Sequence, residues 1–153
     1  MKALLQRVAA ASVVVEDRTI SEIGSGLLVF LGVERGDTKE DRDYLAGKIA
    51  NVRIFEDKAG KMNLSLMEVK GEVLVVSQFT LAADCRKGNR PSFDNAEGPE
   101  QAEEMYREMV KKLLNCGIRV AEGKFGAHMQ VSLINDGPVT IWLDSRKRGR
   151  AGE

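Results

Sequence analysis

Leu27-Leu28-Val29-Phe30-Leu31-Gly32-Val33 is a continuous apolar run bounded by glycines. No position in it offers a polar face to water, which suits a strand buried on both sides. Upstream, Lys2–Ala10, Ser12–Glu16 and Thr19–Ile23 are short, valine-rich, alternating segments that read as strands, with Asp17-Arg18 fitting a tight hairpin turn. Downstream, Thr38 offers an N-cap with Asp41 three residues on, and Tyr44, Leu45, Ile49 and Val52 follow at helical spacing. That pattern predicts a helix over residues 39–53. Glu56 to Lys61 is a polar turn, and Glu72 to Phe79, centred on Val73-Leu74-Val75-Val76, is a further strand. After a punctuated loop from Ala82 to Gly98, Pro99 fits the first position of a second helix. Its apolar positions are Ala102, Met105, Tyr106, Met109, Val110, Leu113 and Leu114, and Gly117 is placed to end it. Arg119–Glu122, Gln130–Ile134 and Val139–Leu143 read as closing strands.

The order is four strands, helix, strand, helix, three strands. Clustered strands with two helices predict an α+β fold: mainly antiparallel, barrel-like sheet with both helices packed on one side. A doubly wound nucleotide fold would need regular alternation. The 153 residues suit one domain. It is expected over residues 1–144, with 145–153 as a basic, disordered tail.

Acidic and basic residues number 23 each, so no global field advertises a nucleic-acid partner. RNA binding would have to come from local clusters, of which there are two: Arg86-Lys87-Gly88-Asn89-Arg90, and Arg146-Lys147-Arg148 with Arg150. Either is also an ordinary solvated surface. Cys85 and Cys116 form no CxxC unit, and with His128 as the single histidine they make no conventional zinc site. Neither a metal nor a cofactor is expected. Free thiols, no apolar run near the roughly 20 residues of a membrane span, and no secretory segment in Met1–Arg7 predict a cytoplasmic protein.

No GxSxG elbow or HExxH pair is present, and a lone His128 is more often structural than a base. Two segments stand out. Ser77-Gln78-Phe79-Thr80-Leu81 puts hydroxyl and amide groups where a buried strand ends, a good place to present polar groups to a ligand. Ser77 and Thr80 could equally satisfy local backbone. Asn135-Asp136-Gly137-Pro138-Val139-Thr140 lies between two apolar strands, where turn chemistry explains it; a cis Gly-Pro bond would instead make a rigid hook.

Together these two segments resemble the signature motifs of the D-aminoacyl-tRNA deacylase family. The likeness extends through Met1-Lys2-Ala3, Gln6-Arg7-Val8, Lys61–Ser65, Arg90-Pro91-Ser92-Phe93 and Phe125–Met129, collinear over residues 1 to about 143. The resemblance implies a homodimer acting on the 3′ end of aminoacyl-tRNA, with no membrane or DNA partner. It implies catalytic roles for Ser77, Gln78, Phe79 and Thr80 and substrate contacts from Leu81, Phe125 and Met129. Ser77 and Gln78 would orient the scissile carbonyl, and the Phe79 and Thr80 N–H groups would stabilise the oxyanion. Thr80 as a nucleophile is the alternative. Gly137 and Pro138, cis and donated by the partner subunit, would reject L-aminoacyl groups sterically while admitting glycine. A non-catalytic RNA 3′-end binding module and an esterase for small acyl-nucleosides are the rival readings.

Overall fold

The computed structural model describes residues 1–149. At its centre is β3 (Gly26–Gly32), with Leu27, Leu28 and Val29 fully buried. One flank is β1 (Lys2–Val15), antiparallel; the other is β6 (Glu72–Ser77), parallel. Beyond β6 lies β7 (Arg119–Glu122), also parallel. β2 (Arg18–Ile23) pairs with the far half of β1, and β8 (Gln130–Asp144) runs antiparallel along the other edge of β1. β2 approaches β6 and β7, so the barrel is nearly closed.

The sheet is mixed, which corrects the expected, mainly antiparallel one. The cause is connectivity: β3 reaches β6 through α1 (Lys39–Asn51), and β6 reaches β7 through α3 (Pro99–Asn115). Crossovers of that length return the chain in the same direction. Two further elements escape the sequence patterns. A small hairpin pairs β4 (Phe55–Glu56) with β5 (Met62–Leu64) around the polar turn. A single-turn α2 (Leu66–Val69) makes three α-helices where two were expected. Ser65 caps α2, its Oγ accepting from Glu68 N–H while Glu68 Oε2 accepts from Ser65 N–H at 2.7 Å.

The central run is apolar throughout because it serves two cores. Leu27, Val29 and Leu31 face α1 and α3 with Leu45, Ile49, Met109 and Leu113, while Leu28 points into the barrel with Leu74, Val76 and Val13. α1 starts where predicted, Asp41 accepting from both Thr38 N–H and hydroxyl, and stops two residues early at Asn51. α3 opens at Pro99, and Gly117, at φ +81°, follows its end. Lys2–Ala10 and Ser12–Glu16 are one strand, and its turn residues are Glu16 and Asp17, both at positive φ, one position earlier than predicted.

Gln130–Ile134 and Val139–Leu143 are likewise one strand, from which residues 136–139 bulge. Ser145–Lys147, placed in the expected tail, form a 3-10 turn fixed to the body. The buried Ser145 donates its N–H to Met1 O, and Arg146 Nη2 donates to Arg35 O at 2.6 Å. These contacts join residues more than a hundred positions apart, so no local pattern announces them. Arg150 and the rest of the expected tail lie outside the described residues. Among the described residues no helix is long and apolar enough to cross a membrane.

Candidate active site

At the end of β6 the chain leaves the sheet and winds into a 3-10 turn, Phe79–Ala82. Gln78 N–H still donates to Leu31 O at 2.8 Å, as the last rung of the β3–β6 ladder; Leu81 N–H then donates to Gln78 O and Ala83 N–H to Thr80 O. Between them the N–H groups of Phe79 and Thr80 find no acceptor among the described residues. The Gln78 side-chain amide donates to the Thr80 hydroxyl. Leu81 packs against Gly32 so closely that a Cβ on that glycine would lie 3.0 Å from the leucine Cβ. It anchors the turn from below.

A cavity of about 670 Å³ opens beside this turn, well within the usual range for small-ligand sites. Ser77, Gln78 and Phe79 form one wall, and Phe125 and Met129 also line it. Thr80 and Leu81 are not on its wall, so of the motif only Ser77 to Phe79 face the cavity. Two further aromatic rings join the lining: Phe93, edge-on to Phe79 with centroids 5.1 Å apart, and Tyr106, tilted on Phe125 at 5.9 Å. Met129 Sδ accepts from Lys124 N–H, which folds back the 124–129 segment, and Phe125 to Met129 line the cavity. His128 also lines the cavity and borders a second hollow of about 320 Å³. Among the described residues no three His, Cys, Asp or Glu side chains gather to hold a metal ion.

Tyr106 escapes sequence reading because it falls in the apolar stripe of α3, and nothing local reveals that its hydroxyl donates to Val75 O at 2.9 Å. Burial, reinforced by the Glu122 carboxylate, pushes the phenol well above its ordinary value of 10.0. It is a fixed donor and no base. Its folded pKa lies above the unfolded one, so the associated stability is complete below pH 10 and is lost as pH rises beyond it. Denaturant titrations at several pH values should show a slope approaching about 1.4 kcal/mol per pH unit in that range from this group alone. Tyr106→Phe should flatten the profile by that increment. An unchanged slope in the variant would remove Tyr106 as the cause.

Gly137 and Pro138 stand apart from this cavity. Gln6 pairs with Thr140 but Val8 pairs with Asn135, so residues 136–139 are extruded opposite Arg7, with the Gly137–Pro138 peptide cis. Asn135 clamps the neck: its Oδ1 accepts from Val139 N–H at 2.8 Å and its Nδ2 donates to Val139 O and Thr140 Oγ1. Beneath it the buried Arg7 donates Nε–H to Asp136 O at 2.8 Å and Nη1–H to Ile54 O at 2.7 Å. Gly137 and Pro138 are exposed at the tip, and neither lines their own chain's cavity.

The D-aminoacyl-tRNA deacylase of Thermodesulfovibrio yellowstonii is 59% identical over 146 residues, covering 95% of this chain and all of that protein. Those of Clostridioides difficile and Thermosipho africanus are 57% and 56% identical, each over 96% of this chain and 99% of the relative. Among solved structures, one named c-Myc DNA Unwinding Element Binding Protein superposes with a TM-score of 0.89 at 46% identity, over 94% of this chain and 98% of that one. A probable eukaryotic D-amino acid tRNA deacylase shares the fold alone, at a TM-score of 0.80, 18% identity and coverage of 93% and 97%. The family model described as D-Tyr-tRNA(Tyr) deacylase matches residues 4–144, and the chain belongs to that family.

Proposed function

We propose that the protein hydrolyses the ester bond of D-aminoacyl-tRNA, and of glycyl-tRNA formed on the wrong tRNA, releasing amino acid and tRNA. The observation that carries this is the pair of unpaired N–H groups at Phe79 and Thr80, beside a cavity with aromatic walls. Water adds to the ester carbonyl, and the two N–H groups take the charge on its oxygen. The tetrahedral intermediate collapses by expelling the ribose oxygen, which leaves with a proton. The neighbouring ribose hydroxyl assists that transfer. Thr80 is the weaker candidate for nucleophile: its hydroxyl accepts from Gln78, and the described side chains place no base on its proton. Ser77 and Gln78 orient the carbonyl, and Phe125 and Met129 hold the adenine.

A second copy completes the site. Among the described residues the outer edge of β8 has no partner strand and its face exposes Ile134 and Trp142, 62% and 46% accessible, which favours self-association across that strand. In the homodimer the Gly137-Pro138 tip of one subunit enters the cavity of the other, its carbonyls filling the space an L side chain requires. Glycine passes because it has nothing to exclude. The substrate places this work in the cytoplasm. The RNA, rather than DNA, is the partner, since the neighbouring hydroxyl that assists cleavage belongs to ribose.

Purified protein should hydrolyse D-Tyr-tRNA with kcat/KM roughly 10²-fold or more above L-Tyr-tRNA, the size of discrimination steric pockets reach. Equal rates would sink the proposal. Binding without turnover would favour an RNA-end binding module, and equal cleavage of free D-tyrosyl-adenosine and D-Tyr-tRNA would favour a small-ester hydrolase.

A further inference from the structure

Among the described residues Arg35 is the one lysine or arginine on the wall of the main cavity. Its backbone is held firmly. Arg35 N–H donates to Asn95 O at 2.9 Å and its carbonyl accepts from Arg146 Nη2 at 2.6 Å. Gly36 turns the chain at φ +82°, and Asp37 N–H closes the turn on Glu34 O. Among the described residues the acids of this turn are already engaged except at Glu34 Oε2, which is buried without a hydrogen-bond partner. Glu34 Oε1 pairs with Lys2 Nζ at 2.9 Å, while Asp37 accepts from the Met1 ammonium at 2.6 Å, from Glu34 N–H and from Arg146. Arg35 itself uses only Nε–H, on Ala96 O at 3.3 Å. Among the described residues no carboxylate pairs with it, so both Nη groups of a guanidinium tethered through Nε–H remain available at the rim. Glu97 lies on the same wall and opposes an anion there, but its Oε1 is turned onto Gly98 N–H at 2.7 Å.

A planar fork with two unused donors matches a phosphate, which it can bind through two parallel hydrogen bonds. We propose that Arg35 binds the 5′-phosphate of the nucleotide whose nucleoside occupies the cavity, and so sets the direction in which the RNA leaves the site. This rests on the proposed substrate. It makes Arg35 a positioning residue: it holds the phosphate and leaves the ester to the Phe79–Thr80 turn. It also gives Arg146 a purpose, since that side chain fixes the Arg35 carbonyl from the far side of the turn.

The test is equilibrium binding, by calorimetry, of adenosine and of adenosine 5′-methylphosphate, a mimic of the phosphodiester. Wild type should bind the phosphate form tighter by on the order of tenfold, the effect of one or two charge-assisted hydrogen bonds at an exposed rim. Arg35→Gln should bring the ratio of the two affinities to about one, and Arg35→Lys should keep part of it, as a point charge without the fork. A ratio of one in wild type overturns the proposal, as does a ratio that survives Arg35→Gln. A loss of both affinities together, with the ratio intact, makes Arg35 a wall residue only and also overturns it. The readout is independent of ester cleavage, so failure of the hydrolytic reading would show separately, as intact D-Tyr-tRNA.

Discussion

Replacing Arg7 by alanine is expected to cut the preference for D-Tyr-tRNA over L-Tyr-tRNA by on the order of 10²-fold, the usual consequence of displacing a positioning group by about 1 Å. Arg7 ties the base of the 136–139 bulge to the segment before β4, through Asp136 O at 2.8 Å and Ile54 O at 2.7 Å. Its ion pairs do less. Glu56 and Asp136 approach only to 3.8 Å and their side chains are 59% and 63% exposed, so water screens both. The two bonds to carbonyls decide the effect, each contributing about 1.5–3 kcal/mol when the donor is charged. Alanine leaves two carbonyls unpaired beneath the bulge, which keeps only the Asn135 clamp across its neck. Global stability should fall by about 2–4 kcal/mol, measured by denaturant unfolding. Arg7→Lys keeps a charge but cannot reach both carbonyls as a fork does, so it should recover more stability than discrimination. Undiminished D-over-L preference in a destabilised Arg7→Ala protein would mean that Asn135 alone holds the tip.

Arg7 also shows where sequence reading runs out. In an alternating strand an arginine reads as solvent-facing, and most of β1 does alternate. Yet the alternation itself carries Arg7 onto the face of the buried Ala3 and Leu5, and the β8 bulge opposite it supplies the carbonyl of Asp136 that its guanidinium needs there. Nothing nearby in the chain indicates that carbonyls from residues 54 and 136 converge there. What was legible is what local chemistry determines. The run at Leu27–Val33 declared a strand with two buried faces, and α3 declared both its ends through Pro99 and Gly117. The parallel pairings went unread although both crossover helices were legible, because element order alone does not say which strands become neighbours in the sheet. In Ser77–Leu81 the residue types pointed to a site, yet the 3-10 turn splits their roles: Ser77 to Phe79 face the cavity and Leu81 packs under it. The expectation of a gate at Gly137–Pro138 came from family resemblance alone. Turn chemistry explains that segment equally well, and within one chain the tip touches no cavity.

Mixing two inactive variants should restore activity, and this is the sharpest expectation for a gate that crosses between subunits. In Gly137→Trp the tip cannot persist, since even a Cβ there would lie 2.5 Å from Val139 N and 2.7 Å from Val139 Cγ2, and the indole adds bulk at the point of entry. In Ala96→Trp the indole fills the main cavity from its wall. Each homodimer is expected to be dead, one for want of a gate that fits and the other for want of a pocket. In the mixed dimer one site combines the intact pocket of the Gly137→Trp chain with the intact gate of the Ala96→Trp chain. Random pairing of equal amounts should recover roughly a quarter of wild-type hydrolysis of D-Tyr-tRNA, since half the dimers are mixed and each has one good site. The companion experiment mixes wild type with a chain carrying both changes. If the gate acts across the interface, no mixed dimer has a good site, and activity falls to roughly a quarter of that of undiluted wild type. If each chain supplied its own gate, the single variants would stay dead together and the companion mixture would retain roughly half. That second pattern, with mixed dimers demonstrated by mass and both variants folded, would overturn the shared site and confine all of its chemistry to one chain.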